Sequence, residues 1–218
     1  GLTDLFICID YRVDGEIQYD DFGNKISEKW KYYTGNGDGN FTFRDEGNLN
    51  AFANCFPGDY NGDGKCDILK FAYHASGNEL YETVLLSSGN SMENYITYSS
   101  NGFNSRQYNF GDFTGDGKTD WVLLTQEGNK SRYRVYSIDF NPTNPEHPVI
   151  IDHYTSEDDI INKMHVVDFN GNGISEVMFL HERYDDYSCQ IKEFKVVEGQ
   201  PNQIIPVFNN GYPTYSHS

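Results

Sequence analysis

Long apolar runs are missing from this chain: none approaches the roughly 20 residues of a membrane-spanning helix, so nothing among its 218 residues reads as one. Basic residues are scarce too. Sixteen Lys and Arg stand against 33 Asp and Glu, a formal net charge of −17. A nucleic-acid backbone or an anionic membrane asks for a basic stripe, so neither is an expected partner. The four cysteines keep no metal-ligand spacing. Cys8 and Cys189 read as small core residues, whereas Cys55 and Cys66 flank one loop, where a disulfide is weighed against two free thiols. No signal peptide opens the chain, although a trimmed N-terminus would have lost one.

Catalytic signatures are equally thin. The six histidines (His74, His147, His153, His165, His181 and His217) are scattered, with no His-Glu-x-x-His and no Gly-x-Ser-x-Gly. Asp152 with His153, or His181 with Glu182, are poor acid-base pairs, because neighbours on a strand point to opposite faces. The expectation is a protein without catalysis. Paired carboxylates for glycoside cleavage stay open as the alternative, since residues far apart in sequence can meet in a repeat fold.

What the chain has in plenty is aspartate and glycine in a fixed phase. A loop of the form Asp-x-(Asn/Thr)-Gly-(Asp/Asn)-Gly-x-x-(Asp/Glu) starts at Asp59, again at Asp112 and again at Asp168, and each copy runs into an apolar stretch. Alternate positions put oxygens on one concave side, and the two glycines let the backbone turn tightly enough for them to converge on a hard cation, calcium. The first copy offers Asp59, Asn61, Asp63, the Lys65 carbonyl and Asp67; the second offers Asp112, Thr114, Asp116, the Lys118 carbonyl and Asp120. The third offers Asp168, Asn170, Asn172, the Ile174 carbonyl and Glu176. With two carboxylates instead of three, it is expected to bind more weakly. Asp and Asn also cap tight turns without metal, but turn formation does not ask for acids at the first, fifth and ninth positions together.

The loops recur at a near-constant period, 53 residues from Asp67 to Asp120 and 56 from Asp120 to Glu176, and Asp4 reads as the end of a fourth, partial copy. Short β-prone runs surround each loop, at residues 53–57, 68–73, 80–86 and 94–98, then 106–110, 121–125, 133–138 and 149–153, then 164–167, 177–181, 189–197 and 204–208. No run keeps a helical period. The expected fold is all-β, a β-propeller of about four four-stranded blades at residues 1–50, 51–102, 103–158 and 159–209, with 210–218 opening the next repeat or closing the ring.

These loops resemble the FG-GAP or VCBS repeats of integrin α-subunit propellers and bacterial surface proteins. The segment from Thr34 to Phe43 is similar to the Gly-Asn-Gly-Asp-Gly-x-Phe turn that those repeats carry, which implies a structural role for Asp38 and no calcium ligation there. The departures are Asn172, Glu176 and the missing front half of the loop at Asp4. The resemblance implies a calcium-stabilised module of a secreted or cell-surface protein that binds a protein or glycan, or serves as a scaffold. A carbohydrate-active propeller, lectin or glycosidase, is the alternative. The aromatic residues after each first aspartate, Tyr60, Phe113 and Phe169, are expected to pack beneath the loops, and Tyr184, Tyr187, Tyr212 and Tyr215 are the rings left for a ligand. The chain begins inside one repeat and stops before another, so an arc of a larger seven-bladed propeller is expected, self-associating through its open edges. A closed four-bladed ring, completed by a strand at residues 213–217, is the alternative.

Overall fold

The computed structural model describes residues 4–19, 25–49, 54–73, 80–99, 106–140, 149–158, 161–183, 186–198, 200–209 and 215–216. Among them there are strands and turns and no helix, as the alternation of apolar and polar residues predicts. The chain divides into two compact units. One holds Gly1–Gly102 with Phe140–Pro148, the other Phe103–Asp139 with Val149–Ser218.

The first unit opens with β1 (Leu5–Asp10), a small hairpin of β2 (Arg12–Val13) and β3 (Glu16–Ile17), then β4 (Ser27–Gly35) and β5 (Phe41–Asn48), and β1, β4 and β5 make a three-stranded sheet in that order. An antiparallel meander of four follows: β6 (Asn54–Gly58), β7 (Asp67–Tyr73), β8 (Leu80–Ser87) and β9 (Met92–Ser99). The second unit repeats the meander twice. Its sheets are β10 (Arg106–Gly111), β11 (Asp120–Glu127), β12 (Lys130–Asp139) and β13 (Val149–Asp158), then β14 (Lys163–Val167), β15 (Glu176–Arg183), β16 (Asp186–Val197) and β17 (Gln200–Asn209). The three complete meanders fall on the strand runs read from sequence; among the described residues the N-terminal repeat has a three-stranded sheet with an added hairpin rather than four paired strands. A short β18 (Tyr215–Ser216) pairs with β16. The reason is local: β17 covers β16 only from Ile191 onward, leaving its earlier residues Asp186 and Tyr187 with an open edge.

Each unit buries an apolar layer between its two sheets. In the first, Trp30, Tyr32 and Leu49 meet Ile68, Leu85 and Met92, with Phe6 stacked on Trp30 at 5.5 Å. In the second, Val122, Leu124, Tyr133 and Val135 meet Met164, Val177, Phe179, Phe194 and Ile204. Lys192 reaches into that layer, where its Nζ donates to Tyr133 Oη at 2.8 Å and lies over the Tyr133 ring at 4.7 Å. A buried ammonium is tolerable only with such partners. The first strand of the N-terminal sheet differs from its counterparts. Leu5, Ile7 and Ile9 are 36%, 38% and 37% exposed, whereas Ile68 and Val177, which also directly follow a loop acid, are buried.

Two sheets share an irregularity. Register shifts between Tyr32 and Tyr33 and between Val135 and Tyr136, so that Arg44 and His153 stand as extra residues in β5 and β13. The N-terminal sheet also depends on a glycine: Gly47 lies opposite Trp30, and a Cβ there would meet the indole at 2.6 Å. Gly47→Ala is therefore expected to lower stability by about 1–3 kcal/mol through displacement of Trp30, read as a drop in denaturation midpoint with loss of near-UV dichroism. An unchanged midpoint would show that the indole moves freely.

Candidate metal centre

All three loops close in the same way. The second glycine and its predecessors present backbone N–H groups inward because both glycines take positive φ: 79° at Gly62 and Gly64, 74° and 81° at Gly115 and Gly117, 72° and 87° at Gly171 and Gly173. The first-position aspartate collects these donors. Asp59 accepts from Gly62 N at 2.7 Å, Asp63 N at 3.1 Å and Gly64 N at 2.9 Å. Asp112 accepts from Gly115, Asp116 and Gly117 at 2.6, 3.2 and 2.8 Å, and Asp168 from Gly171, Asn172 and Gly173 at 2.7, 3.1 and 2.9 Å. The fifth-position side chain in turn accepts from the seventh residue's N–H, Lys65 to Asp63, Lys118 to Asp116 and Ile174 to Asn172. Asn61 and Asn170 accept from the fifth residue's N–H.

The ninth-position acids are buried at the start of β7, β11 and β15. Asp67 accepts from Tyr60 N at 3.1 Å and from Ser87 N at 2.8 Å. Asp120 accepts from Phe113 N and Thr114 N on one oxygen, and Glu176 from Phe169 N and the Asn170 side chain at 2.6 Å each. Asp4, just before β1, is exposed instead and bonds β4, accepting from Gly35 N at 3.2 Å and Tyr32 Oη at 3.0 Å.

Lysines neutralise the fifth position. Lys65 Nζ lies 2.6 Å from Asp63 and Lys118 Nζ 3.0 Å from Asp116. Burial works against ionisation at both aspartates, yet these lysine hydrogen bonds hold both carboxyls below their usual range. With the first acids turned onto backbone and the fifth onto lysine, no three Asp, Glu, His or Cys side chains gather as a metal group among the described residues. The donor set itself is all oxygen and suits a hard cation. The second loop fits one best. Thr114 Oγ1 stands near Asp116 and Asp120 and favours their ionised forms, but both it and Asp120 Oδ1 are buried without a hydrogen bond of good geometry. An orphaned hydroxyl and an orphaned carboxyl oxygen beside a second carboxyl group make a place for positive charge.

The third loop gains a carboxylate that the motif does not contain. Asn172 Nδ2 donates to Glu193 Oε1 at 3.2 Å and Asn170 Nδ2 to Glu193 Oε2 at 3.4 Å. Glu193 lies on β16, outside the nine-residue pattern, and only the strand pairing brings it there. Below the loops, Tyr60 and Phe113 are buried as expected, and Phe113 meets Phe194 of the next sheet edge-on at 6.0 Å. Phe169 is 48% exposed, contrary to expectation, because no following sheet covers it among the described residues. The expected turn at Asp38 joins β4 to β5, and its carboxylate accepts from Asn40 N at 2.9 Å.

Ser137 Oγ and buried His153 Nε2 share a hydrogen bond of 2.6 Å, which looks like a catalytic dyad. It has a counterpart in the N-terminal sheet, where the extra residue Arg44 donates to Thr34 Oγ1 at 2.7 Å from the matching bulge. Both bonds hold a bulge. Of the other candidates, His74, His147, His217, Tyr184 and Tyr212 lie outside the described residues, and Asp152, His181, Glu182, Tyr187, Cys189 and Tyr215 are described only as strand positions. A shallow recess of about 530 Å³ is lined by Lys31, Tyr33, Phe43, Arg44, Asp45 and Glu46. Against family models, curated proteins and solved structures, the chain finds no match.

Burial pushes the Asp120 carboxyl up to about 7 and the Asp67 carboxyl up to about 6, with neighbouring loop aspartates adding to the rise, and Glu176 moves in the same direction. An unfolded aspartate titrates near 3.9. Between about pH 4 and pH 7 the metal-free folded chain thus holds protons that the unfolded chain has released, so its stability falls as pH rises through that window. Melting in chelator is expected to drop from pH 5 to pH 8 (about the span of these shifts), and Asp120→Asn should flatten the slope. A melting temperature that rises over the same range would contradict the assignment.

Proposed function

We propose that this chain is a calcium-stabilised array of FG-GAP or VCBS-type propeller blades from a secreted or cell-surface protein, which uses the array to bind a protein or glycan ligand. The observation that carries the reading is the second loop, where Thr114 Oγ1 and Asp120 Oδ1 are left buried and unpartnered beside Asp116. Asp112, Thr114, Asp116, the Lys118 carbonyl and Asp120 would hold the ion, and the corresponding residues of the first and third loops would hold two more. The ion supplies positive charge where carboxylates crowd, which is a structural task. Lys65 and Lys118 would yield their aspartates to it. Threefold repetition of one loop closure supports the reading, and modest calcium sites support placement outside the cytosol. Tyr33 and Phe43, in edge contact at 5.6 Å, line the polar-rimmed recess and are the proposed ligand contact.

Calcium added to chelator-stripped protein should bind with measurable heat and raise the melting temperature, by about 2.7 kcal/mol of stability for each site at a hundredfold excess over Kd. Asp116→Ala should remove one binding event and part of that gain, while Asp38→Ala should leave both intact. Equal losses from the two variants would deprive the loops of their special status.

The exposed row of Leu5, Ile7 and Ile9 supports association with a second copy of the chain, because the corresponding Ile68 and Val177 are covered by the preceding sheet of their own unit. Light scattering should report a mass that grows with concentration and shrinks in Ile7→Lys. A monomer at every concentration would remove this part of the reading.

A further inference from the structure

Cys8 lies on β1 opposite Trp30, on the face that also carries Phe6, and Cys55 lies on β6 opposite Lys70, on the face that carries Ile68. These two faces belong to the same unit and meet in its core, where Phe6 and Cys55 pack against Trp30, Tyr32, Ile68 and Leu85. The two thiols come within hydrogen-bond reach of each other. Cys66 is elsewhere. Its Sγ turns to the Asp67 carbonyl at 3.6 Å. It is the residue just before β7, four residues from Lys70, the partner of Cys55, which at strand rise is about 13 Å and beyond the roughly 7 Å that a disulfide allows between Cα atoms. The Cys55–Cys66 bridge weighed from sequence is therefore excluded by register.

We propose that Cys8 and Cys55 form a disulfide that staples the first sheet to the second when the chain meets an oxidant of the disulfide class. The two sulfurs have different roles. Cys8 is exposed and Cys55 is partly buried, so an external disulfide reaches Cys8 first. The Cys55 S–H donated to Cys8 favours the Cys8 thiolate and raises the Cys55 thiol. The Cys8 thiolate attacks one sulfur of the oxidant, forming a mixed disulfide and releasing one thiolate. Cys55 then loses its proton and attacks the Cys8 sulfur, expelling the second thiolate. Two electrons pass from the protein thiols to the oxidant, and two protons end on its two released thiols. The bridge closes a loop that runs from the middle of β1 through β5 to the start of β6, so its effect is greatest on the N-terminal sheet. This inference is independent of calcium.

The test incubates the full chain with oxidised glutathione, in chelator and in calcium, quenches with acid and maps the peptides by mass spectrometry. The expected product is a Cys8–Cys55 linked peptide with two of the four thiols lost, a melting temperature raised by about 5–10 °C and reversal by dithiothreitol. Cys66→Ser should form the same bridge, and Cys8→Ser should lose the shift while accumulating no linked peptide. A stable glutathione adduct on Cys8 without resolution, or a bridge to Cys66 or Cys189, overturns the proposal, and the wild-type map alone decides this even if a variant folds poorly.

Discussion

A carboxylate buried at the first residue of a strand is the constraint on which the repeats depend. Asp67, Asp120 and Glu176 are each almost fully removed from water, a position that costs several kcal/mol unless the charge is compensated. Each is compensated by backbone N–H groups at the start of its own loop. The acid thus ties the loop to the strand that follows it, and without that tie the apolar residue beside it, Ile68, Trp121 or Val177, would lose its fixed direction into the core. Asp4 makes a different tie, from the start of β1 across to β4, through Gly35 and Tyr32.

The charge balance of each loop then divides into two layers. The outer layer, Asp63 or Asp116, is wet enough to be matched by a lysine two residues on, and an exposed pair of this kind contributes little stability. The inner layer has no such partner, and its pKa values rise accordingly. A cation that displaced the lysine would address both layers at once, so the lysine is best viewed as an occupant with low hold on its place. In the third loop the outer acid is an amide, and Glu193 arrives from another strand to restore part of the negative charge.

Strand content was legible because the loops set a phase and the runs between them alternate; the three complete meanders follow from that. The ninth-position acids and the rings at Tyr60 and Phe113 were legible for the same reason. Glu193 and Ser87 were not, since each reaches its loop through strand pairing that a nine-residue pattern does not encode. Phe169 was misread because burial belongs to the sheet that covers a ring as much as to the ring. Of the two states weighed for Cys55 and Cys66, free thiols are what the structure holds, because nearness across strands is set by register: Cys55 faces Lys70, and Cys66 is displaced along the chain.

The bulges at Arg44 and His153 sit at matching places and lean on matching hydroxyls, Thr34 and Ser137. A cationic guanidinium and an imidazole have little in common as residues, yet the backbone detour around them is the same. The two sheets thus share a main-chain path at a point where their side chains differ. A position outside the ladder has no cross-strand partner, so the bulge places few demands on its side chain beyond reach of the nearby hydroxyl, and one detour accommodates either a guanidinium or an imidazole.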